Sequence, residues 1–242
     1  MASTKTALQV VNLVLKNLRK TQVSDFSASY TALILEFINK AKRETEDSHT
    51  WSHLRDALTF STVLNQQSYD LSAAGTTPVI TGAGSPARFA NERSKIAYDA
   101  EDRPMVFDIT SSTQPVQLRE YAPKDLDVAQ IMGQQSSQQL QPYGFSFATP
   151  AGVPTLKLLN PPPASRSMKV YMHLPQDDLA NTTDVMLVPW DPVVLRATTL
   201  AFAERGEELG PDGQDWGRMA ENALQMAIGR DTPDNESFFY AD

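Results

Sequence analysis

The chain has 242 residues, 41% of them hydrophobic, so it can bury a real core as one large domain or two small ones. Its 29 acidic against 21 basic residues give a formal charge of -8, which argues against tight sequence-independent binding to a phosphate backbone. The absence of cysteine excludes disulfides, thiolate metal ligands and cysteine nucleophiles, and fits assembly in a reducing cytoplasm.

No apolar run reaches the roughly 18 residues needed to span a bilayer, and the first residues are amphipathic, unlike a signal peptide. Leu8, Val11, Leu15 and Leu18 recur at spacings of three and four and predict a helix over about 4–19. Ser24 or Asp25 is the expected N-cap of a second helix, whose apolar face is Tyr30, Leu33, Ile34, Phe37, Ile38 and Ala41. Lys40, Lys42, Arg43, Glu44 and Glu46 crowd its C-terminal end, and Trp51 with Leu54 is expected to anchor the base of the helices.

From Ala57 the texture becomes loosely alternating and rich in Thr, Val, Phe and Tyr. It predicts a strand, a turn near Asn65, Gln66 and Gln67, and a return strand ending at 72. Residues 76–89 read as a loop, 103–112 and 115–122 as strands, and 123–135 as a short helix with Leu126, Val128 and Ile131 as its apolar residues. A polar, glutamine-rich linker follows. Further strands are expected at 143–148, 154–159, 168–174 and 184–190, the last two flanking the acidic loop 175–184.

The helical return starts at Trp190, with Asp191 as N-cap and Pro192 in the first turn, and is expected to run to Gly210 with Val194, Ala197 and Ala201 on one face. Asp215 should cap a last helix bearing Trp216, Met219, Ala220, Ala223, Leu224 and Ala227, closed by Gly229 as a C′ residue. The fold class expected is α+β: a discontinuous helical bundle of 1–56 plus 186–229, with a β-rich domain of 57–185 inserted between its halves. Residues 230–242 are expected to form an extended tail.

Chemistry is hard to find. His49 and His53 are four apart but lack a neighbouring glutamate and a third ligand, and helix-end positions explain them better than a metal site. His173 alternates with Met172 and reads as a partly exposed sheet residue. Asp177, Asp178 and Asp184 resemble hard-cation ligands without EF-hand spacing, so a solvated acidic turn is favoured. Glu204, Glu207 and Glu208 around Arg205 suggest ion pairing at a helix end. Residues 81–86 lack the GK[ST] of a phosphate loop, and no GxSxG element is present. No catalytic residue, cofactor or metal is expected, and the protein is read as no enzyme. Phe238, Phe239 and Tyr240 stand out in a polar, aperiodic tail. They are a docking anchor for a partner, or else they pack back on the chain's own body.

In the order and spacing of its parts the chain resembles the head-to-tail adaptors of short-tailed bacteriophages, the tail tubular protein A-like group. The early pattern is carried by Asn39, Ala41, Glu44, Trp51, Tyr69 and Leu71, and the later one by Tyr171, Pro175, Leu179, Asp184 and Pro189. The resemblance covers nearly the whole length, but residues 76–141 depart from it and carry no contact residue over. It implies a structural virion protein, made in the host cytoplasm and resident in the tail below the portal vertex. Such subunits form a ring, commonly of twelve, whose helical part meets the portal protein and whose β part faces the tail nozzle protein. Packaged DNA passes through the channel without specific binding, and no membrane is involved. Phe238, Phe239 and Tyr240 would then dock on the portal. Attachment of tail fibre proteins is left open. The alternative is a head-completion or DNA-packaging accessory factor.

Overall fold

A computed structural model describes residues 4–72, 80–82, 87–111, 113–133, 143–205 and 211–231. The fold is mixed α+β, with five helices and two sheets among these residues. The chain divides into two compact units. Among the described residues, one contains those up to His53 and from Gln176 to Asp231; the other is Leu54–Pro175.

The first unit holds α1 (Ala7–Asn17), α2 (Ser29–Ser48), α4 (Trp190–Glu204) and α5 (Pro211–Arg230). Thr6 starts α1 with a capping box. Its N–H donates to Gln9 Oε1 at 3.0 Å, and its hydroxyl accepts from the Gln9 N–H at 3.4 Å. Val11, Leu15 and Leu18 of the expected stripe are buried, joined by Ala7, Val10 and Val14, while Leu8 is only half-buried. Neither Ser24 nor Asp25 caps α2. Asp25 instead accepts from the Ser27 N–H at 2.9 Å and from its hydroxyl, bonds that hold its carboxyl below the ordinary value. Ala28 takes the cap position without a side-chain bond. A local Asx turn has won over capping.

Helix α4 touches each of the other three helices. Val193, Ala197, Thr198 and Ala201 are buried, and these small or β-branched side chains let neighbouring backbones approach. The Asn17 side chain donates to Thr198 Oγ1 at 3.2 Å, and the Phe202 and Trp216 rings meet at 6.4 Å between α4 and α5. Asp191 lies inside the first turn, because Pro189 takes the cap position. Asp215 is likewise one turn inside α5, which begins at Pro211, and pairs with Arg218 at 2.9 Å. Gly229 sits within α5, which ends at Arg230. Helix α4 stops at Glu204, and residues 206–210 lie outside those described. The strand expected at 184–190 is absent: only Val185 forms an isolated bridge, to Thr6.

Among the described residues the second unit carries ten strands: β1 Arg55–Ser61, β2 Ser68–Asp70, β3 Ile80–Thr81, β4 Lys95–Ile96, β5 Val106–Asp108, β6 Val116–Gln117, β7 Arg119–Glu120, β8 Gly144–Ala148, β9 Thr155–Leu158 and β10 Ser167–His173. One sheet has the order β3-β1-β10-β5-β6 with β4 also on β10, and the other the order β2-β9-β8-β7. The expected β1–β2 hairpin does not form. A turn does occur, with Asn65 at φ 61°, but β1 pairs with β10 from Arg55↔His173 to Ser61↔Ser167, while β2 pairs with β9. Ile80–Thr81, expected in a loop, extends the first sheet beside β1.

Both sheets face one core of Leu58, Phe60, Tyr69, Leu71, Val106, Phe145, Leu156, Leu158, Met168, Val170 and Met172. Helix α3 (Pro123–Gly133) contributes Leu126, which is fully buried, but Val128 and Ile131 are exposed rather than core residues. Gly144 permits a close approach, since a Cβ there would lie 2.5 Å from the Tyr121 ring.

Candidate interaction site

The polar stripe of α2 is the first place where sequence-distant parts of the helical unit meet. Ile34, Ile38, Lys42 and Glu46 follow one another at intervals of four, so the apolar face runs on into a charged pair. Lys42 Nζ lies 3.0 Å from Glu46 Oε1 and 2.7 Å from the Gln176 carbonyl, with the two side chains 0% and 1% exposed. Glu46 also accepts the Gln176 N–H at 3.2 Å. Asn39 exchanges two bonds with Leu179: its amide donates to the Leu179 carbonyl at 3.0 Å, and its oxygen accepts the Leu179 N–H at 2.8 Å. Arg43 pairs with Asp178 at the exposed edge.

The loop thus held continues the stitching. The Gln176 side chain donates to the Val185 carbonyl at 2.6 Å and accepts from the Leu187 N–H at 3.2 Å. The Met186 N–H bonds the Lys5 carbonyl at 3.0 Å, and the Ala7 N–H bonds the Asp184 carbonyl at 2.7 Å. Asp184 closes its own turn by accepting the Ala180 and Asn181 N–H groups at 2.8 and 2.7 Å. Burial pushes its carboxyl up, but those bonds outweigh it and leave the pKa below the ordinary value. Asp178 and Asp184 therefore have structural partners, and no cluster of His, Asp or Glu able to hold a metal occurs among the described residues.

A second constellation lies at the end of α5. The Asp231 carboxylate, 8% exposed, accepts the Ser52 N–H at 2.9 Å and the Ser52 hydroxyl at 2.5 Å. His49 Nε2 is 3.2 Å from it, near enough to pair when protonated though not aligned as a hydrogen bond, and His53 Nδ1 is 3.8 Å away. The Asp231 N–H bonds the Ala227 and Ile228 carbonyls. Asp231 thus clasps the last turn of α5 to the segment after α2. Residue 231, expected in the extended tail, is held to the helical unit. His49 also meets Trp51 edge-on at 4.9 Å, and the Trp51 indole N–H donates to the Thr45 carbonyl at 2.7 Å.

The Ser52 hydroxyl lies 3.2 Å from His53 Nδ1 as well as on the Asp231 carboxylate. In a catalytic triad the imidazole stands between hydroxyl and carboxylate, whereas here the Ser52 hydroxyl bonds the carboxylate directly. Asp191, at the start of α4, is pushed up by burial, with Arg230 and Lys5 pulling the other way. Glu44 and Arg196 join α2 to α4 at 2.7 Å. Helix α5 keeps Met219 and Met226 exposed, at 48% and 58%. The expected docking residues Phe238, Phe239 and Tyr240 lie outside the described residues, as do 83–86 of the glycine-rich loop. Sequence reasoning missed Asn39, Lys42 and Glu46 as a bonded set, although the interval of four that continues the Ile34–Ile38 line pointed inward.

No protein-family model matches the chain, and no curated protein matches it significantly. No helix among the described residues is long and apolar enough to cross a membrane.

Proposed function

We propose that this protein is a head-to-tail adaptor of a short-tailed bacteriophage: a helical bundle with an inserted β-rich domain, which forms a ring between the portal protein and the tail nozzle protein. The observation that carries the reading is the double hydrogen bond between Asn39 and Leu179. These residues come from the two separate sequence blocks on which the resemblance rests, 140 positions apart, and their pairing supports treating the blocks as one structural pattern. In this reading the subunits line a channel for DNA. The acidic balance keeps the wall from gripping the duplex, and Phe238, Phe239 and Tyr240 are the portal-docking anchors beyond the Asp231 clasp.

The test is assembly of the full chain and of a chain ending at Asp231 on purified portal rings, read by native mass spectrometry. The full chain should form rings on the portal, and the shortened one should stay folded but assemble at least about tenfold less well, because buried aromatic anchors dominate such interfaces. Normal assembly of the shortened chain would move the anchor to the exposed helical surface around Arg196. Micromolar binding to duplex DNA with a steep salt dependence, and no response to portal, would replace the adaptor reading by a packaging factor.

A further inference from the structure

Helix α5 carries two lines of residues at nearly the same spacing. Trp216, which meets Phe202 of α4, is followed inward by Ala220, Ala223 and Ala227, of which Ala220 is buried and the other two half-buried. On the outward side Asp215, Met219, Asn222, Met226 and Gly229 recur at intervals of four, three, four and three, and all five are exposed. That alternation keeps a stripe on one side of a helix and is the spacing by which two helices share a seam. Met219 and Met226 stand in it at 48% and 58% exposure. Their unbranched thioethers adapt readily to whatever apolar surface they meet.

Gly229 adds an independent sign. It is helical rather than left-handed, so the end of the helix does not require a glycine there. A Cβ at this position would meet no heavy atom within 4 Å among the described residues. Glycine is less favourable than alanine in such a conformation, and the chain's own packing gives no reason for it. The space it leaves is open to a neighbour's side chain.

Charge selects the occupant. Asp215 heads the stripe and Arg230 follows its last residue, both exposed. Two α5 helices laid side by side in the same direction would set Asp215 on Asp215 and Arg230 on Arg230. In the opposite direction each Arg230 comes level with the other copy's Asp215, each Met219 enters the space over Gly229, and each Met226 meets Asn222. The helix dipoles are then opposed as well. Along the stripe and its edge, Asp215 and Glu221 are balanced by Arg218 and Arg230, so this face escapes the repulsion expected of a chain with a charge of -8.

We propose that the outward stripe of α5 is a self-association surface, on which a second copy of this chain lays its own α5 antiparallel and closes a two-fold dimer. The stripe is about 21 Å long, a smaller contact than a standard interface, so the dimer is a micromolar one. The inference does not rest on the adaptor reading and concerns the chain free of partners.

Sedimentation equilibrium of the full-length protein should show monomer passing to dimer between about 1 and 100 μM. Met219→Lys with Met226→Lys should weaken the dimer at least about tenfold and leave the far-UV circular dichroism unchanged, since both positions are exposed. These lysines reduce the net negative charge, so general repulsion would not account for the loss. The chain has no cysteine, which makes introduced thiols specific probes of register. Gln225→Cys lies beside the two-fold axis and should form an intermolecular disulfide at least about tenfold faster than Met219→Cys, whose two copies the antiparallel register holds about 15 Å apart. A monomer throughout the concentration range, a dimer indifferent to the lysines, or equal cross-linking of the two cysteine variants would overturn the proposal. So would closed rings of more than two subunits, which would leave the adaptor reading standing. A monomer whose Met219→Cys thiol is protected from alkylation only by portal rings would assign the stripe to the portal instead.

Discussion

The two units solve the problem of burial by opposite means. The sheet unit surrounds a nearly unbroken apolar core, with Asp108 and Arg166 as an ion pair at its margin, 2.7 Å apart. The helical unit places a lysine, a glutamate and an asparagine in its interior and satisfies each with a loop that arrives from more than a hundred residues away. Apolar packing is non-directional and tolerates rearrangement at some cost, whereas buried polar groups accept only their own partners. The helical unit therefore specifies one connection between chain segments. The sheet unit specifies mainly an alternation.

That contrast can be broken most severely at Lys42. Lys42→Ala leaves the Glu46 carboxylate buried without its ammonium and should cost about 3–5 kcal/mol in urea unfolding, whereas Lys42→Met with Glu46→Leu should recover most of that loss. A double variant as unstable as the single one would show that the charges matter beyond satisfying each other. In the sheet unit, burial pushes Asp108 up, but bonds from Thr110 and Arg166 prevail and hold its pKa below the ordinary carboxylate value. A lowered native pKa means that the pair's contribution is full above the unfolded pKa and is lost as pH falls through the native one. Asp108→Asn should thus cost about 1.5–3 kcal/mol at neutral pH, and its difference from the parent should shrink below about pH 4. Thermal melts across that range check both points. The smallest effect expected is that of Ser52→Ala, which removes one donor from Asp231 and should cost about 1 kcal/mol. It should also raise hydrogen exchange at the end of α5 while leaving the sheet amides unchanged.

Local periodicity made the helices legible. The face through Ile34, Ile38 and Ala41 was plain, and the alternation in β1 and β10 was visible in single segments. Pairing was not, because β1 finds β10 across more than a hundred residues while the turn at Asn65 suggested a local hairpin. A turn signal says that the chain reverses, not that the two arms hydrogen-bond to each other. The run 184–190 misled for a related reason. Its apolar residues are buried at Met186 and Val188, but its backbone bonds go to Lys5 and to the Gln176 side chain rather than to a neighbouring strand. The expected caps failed by position: Pro189 holds the cap of α4, and α5 is described from Pro211, so Asp191 and Asp215 fall inside their helices. The Asp231 clasp joins residues 179 positions apart and could not be seen from either side alone.

The clasp also decides how the chain would bear a mechanical load. A pull on the segment beyond Asp231 meets its two bonds to Ser52 before it can peel α5 away from α4, and those bonds are anchored beside the buried Trp51. Traction is thereby delivered to the end of α2 rather than to the exposed helix, and α2 is locked in turn by Lys42, Glu46 and Asn39. An end of chain secured in this way can be tugged by whatever it grips without unravelling the helix from which it hangs.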